Sequence, residues 1–437
     1  LLTIALKHKW APVVALTAYL LGWAGKGLFS AVFYPDDMMN IYRAWERPAW
    51  RLVADVLLVW TNDYRASGAI ILRMLYEWFG LNPLPFRLVC FLLLMVNIWL
   101  VYEVAQALAN DRYVAFAAGL VFSYHPYLSD LYLSSATVYE LVCFAGYWGA
   151  LLVWLREGSR AAVIGLALVA VGAKEMALTL PAALLAASWV MKRRTDWRTL
   201  CGVGLICAVS AASRIVAMGK GEVVAEYVPE WSVATLMERW AHYLGMLLGV
   251  GRPLALVAVV VFLAGLGAVV AGSRQPWMRL GALLFLVAPL PVLLIAPRSL
   301  YVFYLAYGGL ALVLGGVVGR FRGVGIAVLL VALTAWAWRI REAADAWTSI
   351  EDWKVERTLS EFRQLGAMPK GGSVLVTDDS IPIDDFFLTL TLRLMWRDAE
   401  VQVWRVRQFG LPPEQTWSHT VSFRDWRLVQ AAGETSR

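Results

Sequence analysis

The sequence is poor in what a soluble enzyme needs at its surface. Only 16% of its 437 residues are Asp, Glu, Lys or Arg, against about 25% in an ordinary globular domain. Its four cysteines, Cys90, Cys143, Cys201 and Cys207, all fall in apolar runs, and none forms a C-x-x-C spacing. A disulfide framework and a structural zinc site are therefore not expected. Four histidines (His8, His125, His242, His419) are too few and too scattered for a multi-haem or pigment-binding protein. There is no tandem repeat or low-complexity tract. A pI near 9.2 would suggest nucleic acid in a soluble chain. Here the basic residues sit in short connections between apolar runs, where they report orientation in a membrane.

What the sequence has is apolar mass. It is 60% hydrophobic, with 22 Trp and 17 Tyr, and its mean hydropathy is +0.61. This composition marks a polytopic α-helical membrane protein with aromatic girdles at the interfaces. A helix crosses the hydrocarbon core in about 20 residues. On that ruler eleven candidate spans lie near 10–33, 86–108, 113–124, 138–155, 161–173, 176–191, 199–217, 253–272, 280–296, 300–319 and 323–340. The third and fifth are short. The stretch WAHYLGMLLGVGR (240–252) reads as a re-entrant or interfacial helix; as a twelfth span it would invert everything after it. The chain starts LLTIALKHKW without Met, so a few residues are expected to precede it. The first apolar run is too long for a signal h-region and no A-x-A site follows, so it is expected to remain as a span.

With the N-terminus in the cytoplasm, the connections KHK, NDR, REGSR, MKRRTDWR, SRQPWMR and RFR all lie inside, and each carries Lys or Arg. The opposite connections HPYLSD, AKE and APRS hold only Lys174 and Arg298. That alternation satisfies the positive-inside rule. It puts the first loop, the segment 218–238 and everything after about 341 outside, in the periplasm or extracellular space. The expected organisation is a transmembrane domain over 1–341 and a small α/β domain over 342–437. Within the first, the outer loop 34–85 is read as amphipathic surface helices, with Trp45, Trp50, Val53, Leu57 and Trp60 at helical spacing. In the tail, EAADAWTSIEDWKVERTLSEFRQLGAM predicts a polar helix ended by Pro369 and Gly371-Gly372. SVLVTDD, EVQVWRV and TVSFRDWRLVQ predict strands, with IDDFFLTLTLRLMW a helix between the first two.

Four polar places share the outer boundary: VFYPDDMMNIYRAW with Asp36 and Asp37, FSYHPYLSD with His125 and Asp130, GAKEMALTLP with Lys174 and Glu175, and APRSLYVFYLAYGG with Arg298 and Tyr301. Ionisable residues at a bilayer are costly, so each is a functional candidate. Together they suit transfer of a group from a lipid phosphate. One of the two aspartates would act as general base toward an acceptor hydroxyl, while Arg298 and Lys174 hold the departing phosphate. Plainer readings stand beside this one. The aspartates suit a turn after Pro35, Glu175 and Glu140 suit helix starts, Arg298 suits lipid headgroups, His125 suits an interfacial histidine before a turn-forming proline, and His242 suits a packed, hydrogen-bonded histidine. The tail carboxylates Asp378, Asp379, Asp384 and Asp385 read as strand-end and helix-start residues rather than metal ligands.

The arrangement resembles the GT-C superfamily of membrane glycosyltransferases over roughly residues 10–340. The nearest echoes are the protein O-mannosyltransferases, the aminoarabinose transferases of lipid A and the TMTC-like proteins. YPDD matches the acidic pair of their first outer loop. LVFSYHPYLSD is similar to the HP-plus-acid stretch, although Leu128-Ser129 displace the acid. GAKEMALTLP matches the K-E…P pattern, and RSLYVFYLAYGG keeps Arg298 and Tyr301 but loses the P-S step. No tetratricopeptide array follows. The resemblance implies a GT-C-like bundle of about 11 helices. It also implies an inverting transferase that passes a sugar from a polyprenyl-phosphate donor to a protein, glycan or lipid hydroxyl at the outer face of a bacterial inner membrane. Asp36 and Asp37 would be catalytic, Arg298 and Lys174 would bind donor phosphate, and Glu175, His125, Asp130 and Tyr301 would support them. Some members hold Mg or Mn on such carboxylates; with one acidic pair here, metal-free use is preferred. The alternative is a non-catalytic GT-C-like subunit of a larger membrane complex. A transporter fits less well, since the two halves show no internal similarity.

Overall fold

The computed structural model describes residues 11–58, 60, 65–219, 227–349, 354–381, 383–410, 412, 414–424 and 427–430. The connection KHK and residues 220–226 of the outer segment lie outside these. Seventeen helices of eight or more residues are described. They are α1 (Ala11–Phe29), α2 (Pro35–Glu46), α3 (Ala49–Leu57), α4 (Ala66–Phe79), α5 (Pro83–Ala109) and α6 (Arg112–Ser123). Then come α7 (Val138–Leu155), α8 (Arg160–Ala173), α9 (Leu180–Met191), α10 (Trp197–Gly219), α11 (Val233–Leu248) and α12 (Arg252–Gly272). The chain continues through α13 (Pro276–Val287), α14 (Tyr304–Gly319), α15 (Arg322–Ser349), α16 (Lys354–Phe362) and α17 (Asp385–Trp396).

Among the described residues, eight helices are long and apolar enough to cross a membrane, and three shorter apolar ones, Arg112–Ser123, Arg160–Ala173 and Glu175–Met191, accompany them. The protein is an integral membrane protein, and these eleven coincide with the apolar runs of the sequence. The sixth is shorter than its run suggests, because Glu175–Thr179 winds as a 3-10 turn before α9 begins. The amphipathic α11 is not among the span-length apolar helices. It stops at Gly249, which takes the left-handed conformation (φ 65°) that closes a helix C-terminus. Starts follow ordinary capping chemistry. Asn82 accepts the Leu84 N–H at 3.1 Å, Asp111 accepts the Tyr113 N–H at 2.7 Å, and prolines open α2, α5 and α13.

The first loop forms α2, α3 and α4. On α3, Trp50, Val53 and Leu57 are exposed while Leu52 and Asp55 are buried. Asp55 is matched by Arg47 at 3.4 Å and Arg51 at 3.8 Å. Trp45 departs from the expected apolar surface stripe. It lies on α2 and packs inward against Tyr42 and Tyr76.

The C-terminal part carries a four-stranded sheet ordered β2-β1-β3-β4, from β1 (Ser373–Asp379), β2 (Gln402–Arg405), β3 (His419–Arg424) and β4 (Arg427–Gln430). β1 is parallel to β2 and β3, and β3 is antiparallel to β4. The run TVSFRDWRLVQ is therefore a hairpin rather than one strand. The polar tail helix begins as the end of α15, which runs through residue 341 to Ser349; residues 350–353 are outside the described part, and α16 covers Lys354–Phe362. The tail carboxylates serve structure: Asp379 and Asp385 meet the buried Arg405, Asp378 meets Arg424, and Asp384 caps α17 through the Phe386 N–H at 2.9 Å. α17 packs on α2. The carbonyl of Leu394 accepts from Tyr76 Oη at 2.6 Å, and Arg393 reaches Tyr42 Oη at 3.3 Å.

In the bundle, α14 crosses α6 at Gly315 and Gly319. A Cβ at either would overlap the backbone of Ala118 or Val114. Four residues apart, the two glycines let the helix backbones touch, as in membrane packing through small residues. Gly315→Val is expected to cost about 1–3 kcal/mol through overpacking, read as a lower melting temperature in detergent. Gly204→Val, where a Cβ meets nothing within 4 Å, should melt like the parent.

Candidate active site

A cavity of about 1950 Å³ opens at one face of the bundle. Its walls come from the connection after α1, those between α6 and α7, α8 and α9, α10 and α11, and α13 and α14, with the ends of the neighbouring helices, and from the start of α17. These are alternate connections between the eleven apolar helices. The intervening ones (110–111, 156–159, 192–196, 273–275 and 320–321) supply no lining residue. Elements far apart in sequence thus meet because alternate turns share one side.

The adjacent aspartates part company. In α2 successive side chains stand about 100° apart, so one stripe, Asp36, Met39, Asn40 and Arg43, lines the cavity. The opposite face, with Asp37, Met38, Ile41 and Tyr42, is buried. Asp37 accepts the Tyr34 N–H at 2.9 Å, the Ser134 hydroxyl at 2.9 Å and the Ala136 N–H at 2.6 Å. Arg87 of α5 stands 3.7 Å away, also fully buried. Burial raises the Asp37 pKa, opposed by Arg87 and these three donors. Asp36 has a raised pKa too, from desolvation and from the neighbouring Asp37, with Arg298 and Arg43 pulling it down.

Asp130, Glu175, Arg298 and Tyr301 also line the cavity. The Asp130 carboxyl is pushed up to about 6, first by burial and also by Asp36, against a hydrogen bond to Ser299. Glu175 is held between Arg65 at 3.6 Å and Arg214 at 3.4 Å. Lys174, expected at the phosphate, does not line the cavity. Its ammonium is buried against the Glu140 carboxylate, because an unpaired charge inside protein costs several kcal/mol (roughly). Its place is taken by Arg65, Arg214 and Arg43, which do line it. Arg214 was visible in the sequence as a cation inside the apolar run 199–217; nothing marked Arg65. His125 is also absent from the cavity. Its Nδ1 accepts the Tyr127 N–H at 3.2 Å, so Nε2–H donates to the Leu247 carbonyl at 3.1 Å. Burial lowers its pKa to about 4, and the imidazole stays neutral.

The Asp36–Asp37 pair does not fit a shared magnesium or manganese ion, since both Asp37 oxygens are engaged by donors. Among the described residues no group of three His, Cys, Asp or Glu converges as a metal site. The lining also includes apolar and aromatic residues, among them Trp60, Ile215, Met218, Trp231, Leu236 and Leu290. The cavity is therefore amphiphilic, lined by guanidinium groups and carboxylates together with apolar side chains.

No family model matches the chain, and no curated protein matches it. Among solved structures, the crystal structure of ArnT from Cupriavidus metallidurans bound to undecaprenyl phosphate superposes with a TM-score of 0.49 at 12% identity, covering 97% of this chain and 98% of that one.

The two aspartates predict opposite phenotypes. Asp37→Asn leaves Arg87 buried without its counter-charge and is expected to cost about 3–5 kcal/mol. Asp36→Asn, facing open space, should stay within about 0.5 kcal/mol of the parent. Unfolding of both variants in detergent checks this.

Proposed function

We propose that the protein is a membrane glycosyltransferase of GT-C type that moves a sugar from a polyprenyl-phosphate donor to a hydroxyl group. One observation carries the proposal: a single amphiphilic cavity is lined by the Asp36 carboxylate together with Arg298, Arg65 and Arg214. An amphiphile with an anionic head matches that mixed lining. In the proposed reaction the acceptor hydroxyl gives its proton to Asp36 as its oxygen bonds to the anomeric carbon. The bond from that carbon to the phosphate oxygen breaks, and its electron pair stays on the phosphate. The arginines stabilise the charge that develops there. Attack from the face opposite the leaving phosphate inverts the anomeric centre.

The acceptor is a protein, glycan or lipid hydroxyl. The positive-inside pattern supports a cytoplasmic N-terminus, with the cavity and the 342–437 domain on the outer face of a bacterial inner membrane, and with 1–341 as the transmembrane domain. A non-catalytic subunit of a membrane complex is the competing account.

The test uses protein reconstituted with undecaprenyl-phosphate-linked hexoses and pentoses, scoring release of undecaprenyl phosphate. Asp36→Asn is expected to lower the rate by about 10²–10⁴-fold, the usual worth of a general base. Inactivity of the native protein with every donor, combined with obligate co-purification of partners, would favour the subunit account. The base form of Asp36 exists above its pKa and is lost as pH falls through it. Because that pKa is raised, the acid limb of the pH–rate profile should lie above the ordinary aspartate value of about 3.9. Asp36→Asn should abolish that limb.

A further inference from the structure

Arg298 sits in an irregular stretch between the short helix Leu290–Leu293 and the 3-10 turn Leu300–Phe303. Pro297 immediately before it has no N–H to give. Such a loop would ordinarily leave a long side chain poorly aimed, so what fixes its backbone matters.

The fixing groups come from α11, which is not among the span-length apolar helices and brings Val233 and Leu236 to the lining, and from Glu230 just before it. Arg239, buried on α11, donates to the Leu293 carbonyl at 3.1 Å and pairs with Glu230 at 3.0 Å. The Glu230 N–H donates to the Leu294 carbonyl at 2.7 Å. One turn further along α11, Tyr243 Oη accepts the Arg298 N–H at 3.1 Å. His242 Nε2 lies 3.1 Å from the Arg298 carbonyl; since a carbonyl only accepts, that nitrogen carries the proton. Both main-chain polar groups of one arginine are thus held by adjacent side chains of one helix. Tyr243 is itself fully buried and stacks on Phe303 at 4.5 Å. Above the loop, the Arg298 guanidinium rests 4.2 Å from the centre of the Tyr227 ring. The far end of α11 is tied down by the His125 bond to Leu247, which gives the HP motif a task away from the cavity.

We propose that α11 is a clamp on the anion-binding loop, with Tyr243 and His242 as positioning residues that hold Arg298 toward the cavity to receive a lipid-borne phosphate, the diester of the donor and the monoester it leaves behind. This rests on the donor class proposed above. The clamp stabilises the bound state by fixing the loop in advance, so less ordering is needed when the phosphate arrives.

The test is titration of the full chain in detergent with undecaprenyl monophosphate, followed by native mass spectrometry, with undecaprenol as the phosphate-free control. Tyr243→Phe and His242→Leu are each expected to weaken binding about fivefold, the net worth of one hydrogen bond. His242→Gln, which keeps an N–H donor at that reach, should return to within about twofold of the parent. The deciding measurement is a cycle with Arg298→Ala. A residue that acts only through Arg298 has nothing left to position there, so adding Tyr243→Phe to Arg298→Ala should change affinity by less than about twofold. A native protein with no preference for the phosphate over undecaprenol overturns the donor class and the clamp together. Native binding with Tyr243→Phe unaffected, or equally weakened with and without Arg298, overturns the clamp alone.

Discussion

The architecture of the site depends on where one carboxylate is buried. Asp37 collects two backbone N–H groups and the Ser134 hydroxyl, with Arg87 as its counter-ion. These contacts join the first turn of α2, the segment before α7 and the start of α5. An ionised group inside protein is tolerated only with such company, so the position of α2 is fixed by electrostatics as well as packing. Because Asp37 must point inward, Asp36 points into the cavity. The same rule sorts the other charges. Lys174 is consumed by Glu140, and Glu175 is bracketed by Arg65 and Arg214. The groups that line the cavity, Asp36 and Arg298 among them, are placed to do chemistry; Asp37, Arg87 and Lys174, buried outside the lining, hold the walls.

Much of this was legible in the sequence, for definite physical reasons. The apolar runs are set by bilayer thickness, so the eleven helices appear where the runs are. The positive-inside alternation also indicated which connections share a side, and those connections build the cavity. The identity of the inward aspartate was not legible, because adjacent residues differ only by the rotation of α2 about its axis. Lys174 and His125 were misplaced for a related reason. A charged or polar residue at a span boundary looks the same whether it faces a cavity or a buried partner, and Glu140 and Leu247 are 34 and 122 residues away in the chain. Arg65 gave no signal in a long polar loop. The β3–β4 hairpin was read as one strand because its turn carries none of the glycine or asparagine that usually marks one.

The cavity also explains a division of labour among the outlying elements. α3 turns Trp50, Val53 and Leu57 outward, as suits a helix lying at an interface. The start of α17 brings Ile383, Asp384 and Phe387 to the rim, so the sheet-bearing C-terminal part contributes directly to the walls. α11 supports the Arg298 loop from behind. Two of these elements, α11 and α17, therefore help to frame a chamber whose polar residues come mainly from α2 and the connections between spans.

The account stands or falls on where a lipid phosphate settles. The most direct measurement is a cryo-electron microscopy structure of the protein with undecaprenyl phosphate added. The account predicts phosphate density within hydrogen-bonding reach of Arg298, on the cavity side that Asp36 faces, with the chain lying along the Ile215, Met218 and Leu236 wall. Phosphate bound outside the cavity, or a lipid whose head lies away from all of Arg298, Arg65 and Arg214, would contradict it.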